Sequence, residues 1–184
     1  KDSVDTVWWL SKSDFPKADV RQVLVPYSDR MKKLLEDPAG FYTPKARPSG
    51  HDIADKFGKD NGGAIPCNLL QISNSESNSS YLRRCKSIGV SAHPARFPAA
   101  LPEFFIKFLT DPGDHVVDIF AGSNTTGEVA ERNGRRWTAC DLRRDYLAAS
   151  AFRFVTERPA ESARSLYERL AEDRADCEFL DERT

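Results

Sequence analysis

Asp118 and Asp141 stand 23 residues apart, each closing a short apolar run, and the first is followed by the small-residue turn AGSNTT. Residues 115 to 134, HVVDIFAGSNTTGEVAERNG, read as a strand, a turn and a helix start. Such a turn is a natural holder of an anion or a cofactor, because the first amides of a helix point out of it unpaired. It is no P-loop, since no Gly-Lys-Ser/Thr follows, and it lacks the GxGxxG spacing of a dinucleotide fingerprint. A nucleotide polyphosphate is therefore a poor ligand. The carboxylate of Asp118 would repel a pyrophosphate but suits an ammonium group, and Asp141 has the spacing at which an acidic side chain accepts hydrogen bonds from ribose hydroxyls. An adenosine joined to an amino acid satisfies both, and S-adenosylmethionine is such a molecule.

The elements that would position these residues follow from periodicity. ALPEFFIKFL places apolar residues at 101, 104, 105, 108 and 109 on one helix face, stopped by Pro112 and Gly113. Strand VVDIF, the turn, helix GEVAERNG, strand RWTACDL and helix RDYLAASAFRFV come next. This is a βαβ unit with a following helix, the opening of a doubly wound α/β sheet, whose ligands sit beyond the carboxyl ends of the strands. Upstream, SVDTVWWLSK (residues 3–12) is a β-branched and aromatic run that reads as a strand. Residues 26–92 are rich in Pro, Gly, Asn and Ser, with one short helix around DRMKKLLED. Ile53, Phe57, Ile65, Leu69, Leu70, Ile72 and Tyr81 supply enough apolar anchors to favour an ordered, loop-rich module over a disordered linker. AESARSLYERLAEDRADCEFL reads as a charged amphipathic helix without evident chemistry.

Composition narrows the classes. With 184 residues, 40% hydrophobic content and a net charge of −1, the chain suits one ordinary globular core. Its apolar runs are too short for a membrane-spanning helix, and an intracellular, cytoplasmic location is expected. The four cysteines, Cys67, Cys85, Cys140 and Cys177, show no CxxC spacing, so reduced thiols and no metal site are expected. Residues 1–100 carry 15 Lys and Arg against 11 Asp and Glu, while residues 101–184 carry 12 against 17. A basic excess of that size is compatible with a polyanionic partner without indicating one.

DIFAGSNTTG, together with HPARFP at residues 93–98, resembles the amino-methylating DNA methyltransferases, whose cofactor motif has the form Asp-x-Phe-x-Gly-Ser and is preceded by a His-Pro motif. TVWWLSK, PYSDRMKKL, FYTPKARPSGHD, KDNGG and ISNSESN extend the resemblance to about residue 155 and direct it to the cytosine-N4 branch. The resemblance implies a partial S-adenosylmethionine-dependent methyltransferase fold, a Rossmann-like doubly wound sheet with an inserted target-recognition region. It also implies the β-group order of motifs. Residues 1–25 would be a strand and connection of the catalytic domain, 26–92 the recognition region, 93–156 the cofactor-binding βαβ part and 157–184 a C-terminal helix.

Carried over by position, Asp118, Phe120, Gly122 and Ser123 would line the cofactor pocket. Thr125 and Thr126, at the helix start, would meet the methionine carboxylate. His93, Pro94, Ala95, Arg96 and Phe97 would belong to the segment closing over the cofactor, and Asp141 would hold the ribose. The family more often has Glu at that position and Gly where Asn124 stands, so a shorter reach and a different turn are expected. Taken singly, Asp118 is also what a helix cap requires, Phe120 what a core requires, His93 an ordinary loop residue and Arg96 a solvated one. The combination of Asp118 with Asp141 favours the cofactor.

In the recognition region, Lys45, Arg47, Ser49, His51 and Asn61 have the chemistry to read phosphates and base edges of double-stranded DNA. Ser73 and Asn74 open SNSESN, which the resemblance places near a flipped target base. The family's Ser/Asp-Pro-Pro-Tyr/Phe tetrapeptide orients the exocyclic amine of that base, and it does not occur in this sequence. Three readings follow. The chain is the C-terminal part of a cytosine-N4 methyltransferase of a restriction-modification system, its motif supplied by polypeptide outside these residues. Alternatively it is a noncatalytic cofactor- or DNA-binding subunit. The third reading takes Pro66-Cys67 as the nucleophile of a cytosine-C5 enzyme, although the dipeptide lacks that family's surroundings and reads rather as a buried structural cysteine. The first is favoured, with adenine-N6 chemistry as its variant.

Overall fold

The computed structural model describes residues 4–41, 48–50, 58–73 and 76–172. The βαβ unit is present where its periodicity places it. Strand β1 (His115–Asp118) and strand β2 (Arg136–Ala139) pair in parallel, with His115 opposite Arg136 and Asp118 opposite Ala139. Backbone bonds prolong the pairing past both strands, Cys140 N donating to the Asp118 carbonyl at 2.8 Å and Ala121 N to the Cys140 carbonyl at 2.9 Å. These two bonds fix the start of the turn against β2.

Helices complete the frame of the site. α1 (Asp29–Glu36) is capped by Ser28, and the single turn α2 (Pro38–Phe41) follows it. α3 spans Ser80–Ile88, α4 Ala100–Leu109, α5 Thr125–Arg132 and α6 Arg144–Ser150, the last continuing as a 3-10 turn over Ala151–Arg153. α7 spans Ala160–Ala171. Helix α3 lies inside the Ser-rich text expected to be loop. Its cap explains why: Ser79 accepts from the Leu82 amide, and Gly89 ends the helix in the left-handed region at φ 70°, so residues that read as loop are helix punctuation.

The core is built from helices rather than from the sheet. Tyr81, Cys85 and Ile88 of α3 pack with Ala149, Phe152, Val155 and with Ala163 and Leu166 of α7. Thus the charged C-terminal helix has a structural task, burying its one apolar stripe against α3. A second, smaller cluster joins Ile106 of α4 to Val129 and Ala130 of α5, with Val116 and Trp137 beside it. Trp137 stacks on Phe154 at 4.8 Å, beside the core residue Val155 in sequence.

One expected element is not there. Residues 4–12 form no strand, because among the described residues no neighbouring strand offers them a ladder, and β-propensity without a partner does not make a strand. Trp8 is 82% exposed, and Trp9 meets the Phe108 ring edge-on at 5.7 Å. No helix among the described residues is long and apolar enough to cross a membrane.

Candidate cofactor site

The turn after β1 is held by side chains at every step. The Asp118 carboxylate accepts from the Phe120 amide at 3.0 Å and from the Thr126 hydroxyl at 2.6 Å, so it ties the strand end to the first turn of α5. The Asp141 carboxylate accepts from the Gly122 amide at 2.8 Å and from the Arg143 amide at 2.8 Å, crossing from one βα turn to the next. Two acidic residues far apart in sequence thus grip the same loop. Each carboxylate oxygen retains a lone pair toward a ligand, since one hydrogen bond does not exhaust it.

Gly122 and Asn124 give the turn its shape, and both are left-handed, at φ 52° and φ 54°. A Cβ on Gly122 would lie 3.0 Å from the His93 ring, so the residue must be glycine both for its backbone and for the imidazole packed on it. Asn124 tolerates the left-handed region better than most side chains and uses its side chain to cap α5, accepting from the Gly127 amide at 3.0 Å. Asn124 thus serves the turn both by its left-handed backbone and by its cap.

His93 comes to the turn from the HPARFP segment. Its ring donates from Nδ1 to the Ala95 carbonyl at 2.5 Å and meets the Tyr146 ring edge-on at 4.7 Å. Arg143 sits 4.8 Å from the centre of that Tyr146 ring. The His93 amide donates to the Tyr81 hydroxyl at 3.0 Å, and Arg96 returns to bond the His93 carbonyl. Burial pushes the Tyr81 phenol up to about 12, so it stays a neutral hydroxyl across the physiological range. Tyr81→Phe should leave the His93 amide without its acceptor and cost about 1 kcal/mol of stability, read as a lowered urea midpoint with faster exchange of that amide. An unchanged midpoint and unchanged exchange would remove Tyr81 from the support of His93.

Ser123 and Thr125 are not presented outward as a pocket lining would be. Both are buried, and their hydroxyls and the Ser123 carbonyl are taken by Arg153, a buried residue that sequence reasoning passed over. Phe120, by contrast, is 78% exposed at the carboxyl end of β1 and stands free of the core, and Leu142 is 97% exposed just after β2. Two bare apolar side chains beside two carboxylates and the open amides of a helix start make a donor set that fits an adenosine carrying an amino acid. The flat apolar base, the hydroxyls and the charged amino-acid end each find chemistry of their own kind.

Of the other residues singled out in the sequence, Pro94, Ala95 and Phe97 lie with His93 and Arg96 in the segment beside the turn, all three exposed. Ser49 is exposed in a turn, Asn61 donates its amide hydrogen to Tyr27 Oη at 2.8 Å, and Ser73 is exposed. Lys45, Arg47, His51 and Asn74 lie outside the described residues. Cys67 is exposed, not buried as its sequence context suggested, and its thiol donates to the Leu69 carbonyl at 3.0 Å. Nothing from the described residues gathers around that thiol to activate it, whereas Cys85, in the helical core, has its thiol pushed up by burial.

A family model described as DNA methylase matches residues 1–152. The chain belongs to this family. Among curated proteins, it is 68% identical over 155 residues to the type II methyltransferase M.PvuII of Proteus hauseri, an alignment covering 84% of this chain and 46% of that protein. It is 42% identical over 55 residues to the DNA adenine methyltransferase YhdJ of Escherichia coli (strain K12), covering 30% of this chain and 19% of that one. A solved structure named PvuII DNA methyltransferase (cytosine-N4-specific) superimposes with a TM-score of 0.65 at 44% identity, covering 90% of this chain and 45% of that chain. The chain therefore has the S-adenosylmethionine-dependent methyltransferase fold and spans about half the length of M.PvuII and of that solved chain.

Proposed function

We propose that this chain serves a site-specific DNA methyltransferase that moves a methyl group from S-adenosylmethionine to the exocyclic N4 of cytosine in duplex DNA, as the modification enzyme of a restriction-modification system. The observation that carries the reading is the extent of its identity to M.PvuII, which runs through the recognition region as well as the cofactor turn. The sulfonium cofactor supplies an electrophilic methyl group when bound. The chain's own residues then bind and orient: Asp141 toward ribose hydroxyls, Asp118 toward the amino group, the Thr125 and Thr126 amides toward the carboxylate, and Phe120 and Leu142 against the base. His93, fixed through Tyr81 and Arg96, closes the turn from the other side.

The amine-orienting Ser/Asp-Pro-Pro-Tyr/Phe tetrapeptide is absent from these 184 residues. We therefore infer that they act with polypeptide carrying it, in the same chain or as a second one, and that the target base is flipped out of the duplex to reach it. The test is transfer of labelled methyl groups to DNA, followed by nucleoside analysis. N4-methylcytosine supports the reading. N6-methyladenine would move it to the chemistry named for YhdJ, and cofactor binding without transfer in the presence of the motif would favour a noncatalytic subunit.

Lys45, Arg47, Ser49, His51, Asn61, Ser73 and Asn74 form the proposed DNA-reading set. Removing the charges at Lys45 and Arg47 is expected to weaken DNA binding and to make its salt dependence shallower, by about one power of salt for each phosphate no longer neutralised, with cofactor affinity intact. Filter binding across a salt series checks it. Unaltered DNA affinity with impaired cofactor binding would mean that the two regions are reversed.

A further inference from the structure

Arg153 lies in the middle of the apolar run AASAFRFV, at the end of the 3-10 turn after α6, and its side chain is 1% exposed. A charge so deep in a protein has to be paired and fully hydrogen-bonded. Its partners are distributed over three segments. Nε donates to the Ser123 carbonyl at 2.6 Å, while Nη2 reaches the Ser123 hydroxyl at 3.1 Å and the Thr125 hydroxyl at 3.0 Å, all within the cofactor turn. Nη1 pairs with Glu128 of α5 at 2.5 Å. Nη2 also meets the Glu76 carboxylate at 3.1 Å, and the guanidinium lies 4.8 Å over the Tyr81 ring.

Glu76 belongs to the segment 73–78 of the recognition region, 77 residues away in sequence. It is held twice, since Arg96 of the HPARFP segment donates to its backbone carbonyl at 3.4 Å. The same Tyr81 that stacks on Arg153 receives the His93 amide. One guanidinium thus stands where the cofactor turn, the segment that covers it and the recognition region meet.

We infer that Arg153 is a positioning residue for the cofactor turn, acting through Ser123 and Thr125, and that Glu76 sets the orientation of its guanidinium and so ties the turn to the recognition region at that residue. Ser123 and Thr125 turn their hydroxyls inward to this arginine, so that they brace the turn from within. The inference rests on the cofactor reading above and concerns how that site is kept in shape. Glu128 remains to pair the charge when Glu76 is removed, so the fold tolerates that change better than loss of the arginine itself.

The experiment compares the full chain, in its methyl-transferring form, with the Glu76→Ala, Glu76→Asp and Arg153→Lys variants. Glu76→Ala should raise KM for S-adenosylmethionine about tenfold with kcat within about twofold, the size expected for one lost hydrogen bond to a charged group. Hydrogen exchange at the amides of residues 122–127 should quicken in parallel. Glu76→Asp should restore much of both. Arg153→Lys, which keeps the charge but not the fork that serves Ser123 and Thr125 together, should resemble Glu76→Ala or exceed it. If the thermal midpoint falls while KM and exchange of the turn stay at wild-type values, Arg153 is merely a core residue and the inference is overturned. If wild-type protein binds no S-adenosylmethionine, the functional reading fails, and the exchange of residues 122–127 in the same variants still decides whether Glu76 and Arg153 govern the turn.

Discussion

Asp141→Ala is expected to weaken S-adenosylmethionine binding by about 1 to 3 kcal/mol, roughly 5- to 150-fold in Kd. Two effects act together. The substitution removes a carboxylate with lone pairs to offer the ribose, and it also leaves the Gly122 and Arg143 amides without the acceptor that holds each at 2.8 Å. The Gly122 turn, already in the left-handed region, then loses its side-chain tie to the loop after β2. Asp141→Asn separates the contributions. An amide oxygen still accepts from one backbone N–H but carries no charge, so affinity intermediate between wild type and alanine is expected. Calorimetric titration of folded enzyme checks both variants. Unchanged affinity in Asp141→Ala would remove the residue from the site.

The features legible in the sequence are those fixed by local chemistry. β1, the small-residue turn, α5 and β2 were readable because their apolar periodicity switches within some 25 residues and because parallel strands need a crossover between them. The acidic pair stands out by spacing, and the tie of Asp118 to the start of α5 is close to the helix-cap alternative, whereas the bonds of Asp141 to the Gly122 and Arg143 amides had no signal in the sequence. Features decided by tertiary contact stayed hidden. TVWWLSK carries strand chemistry yet has no ladder among the described residues, since strand formation depends on a partner that local sequence does not specify. Helix α3 was concealed by the serines that cap it.

Arg153 is the clearest case. In the helical text RDYLAASAFRFV an arginine reads as the solvated face, and only the approach of Ser123, Glu128 and Glu76 from three other segments makes it a buried hub. An available signal was its setting, since its neighbours Phe152 and Val155 are themselves buried. A charge between core residues either turns outward or finds partners inside, and Glu128 of α5 is one such partner. His93 is singled out only by the family resemblance, and its packing on Gly122 and its anchorage through the Tyr81 hydroxyl depend on α3, a helix the local sequence conceals.

The 184-residue polypeptide by itself is expected to transfer no methyl group to DNA, even with S-adenosylmethionine present. Direct transfer to an exocyclic amine depends above all on orientation of the nitrogen toward the methyl group, a service worth many powers of ten and supplied in this family by the tetrapeptide the sequence lacks. The sheet points the same way. Apolar side chains are bare on β1 and just past it, Val117 at 58% and Ile119 at 62% exposure, beside strand edges whose backbone groups have no ladder among the described residues. A strand laid on that edge and carrying the tetrapeptide at its carboxyl end would satisfy the ladder, cover those side chains and bring the motif to the rim where Asp118 and Asp141 stand. Supplying such polypeptide, fused or as a separate chain, should therefore raise solubility and activity together. The measurement is transfer of labelled methyl groups by the 184 residues, by the motif-bearing polypeptide and by the mixture, alongside light scattering of each. Robust transfer by the 184 residues alone would place the amine-orienting groups within this chain and overturn the assignment.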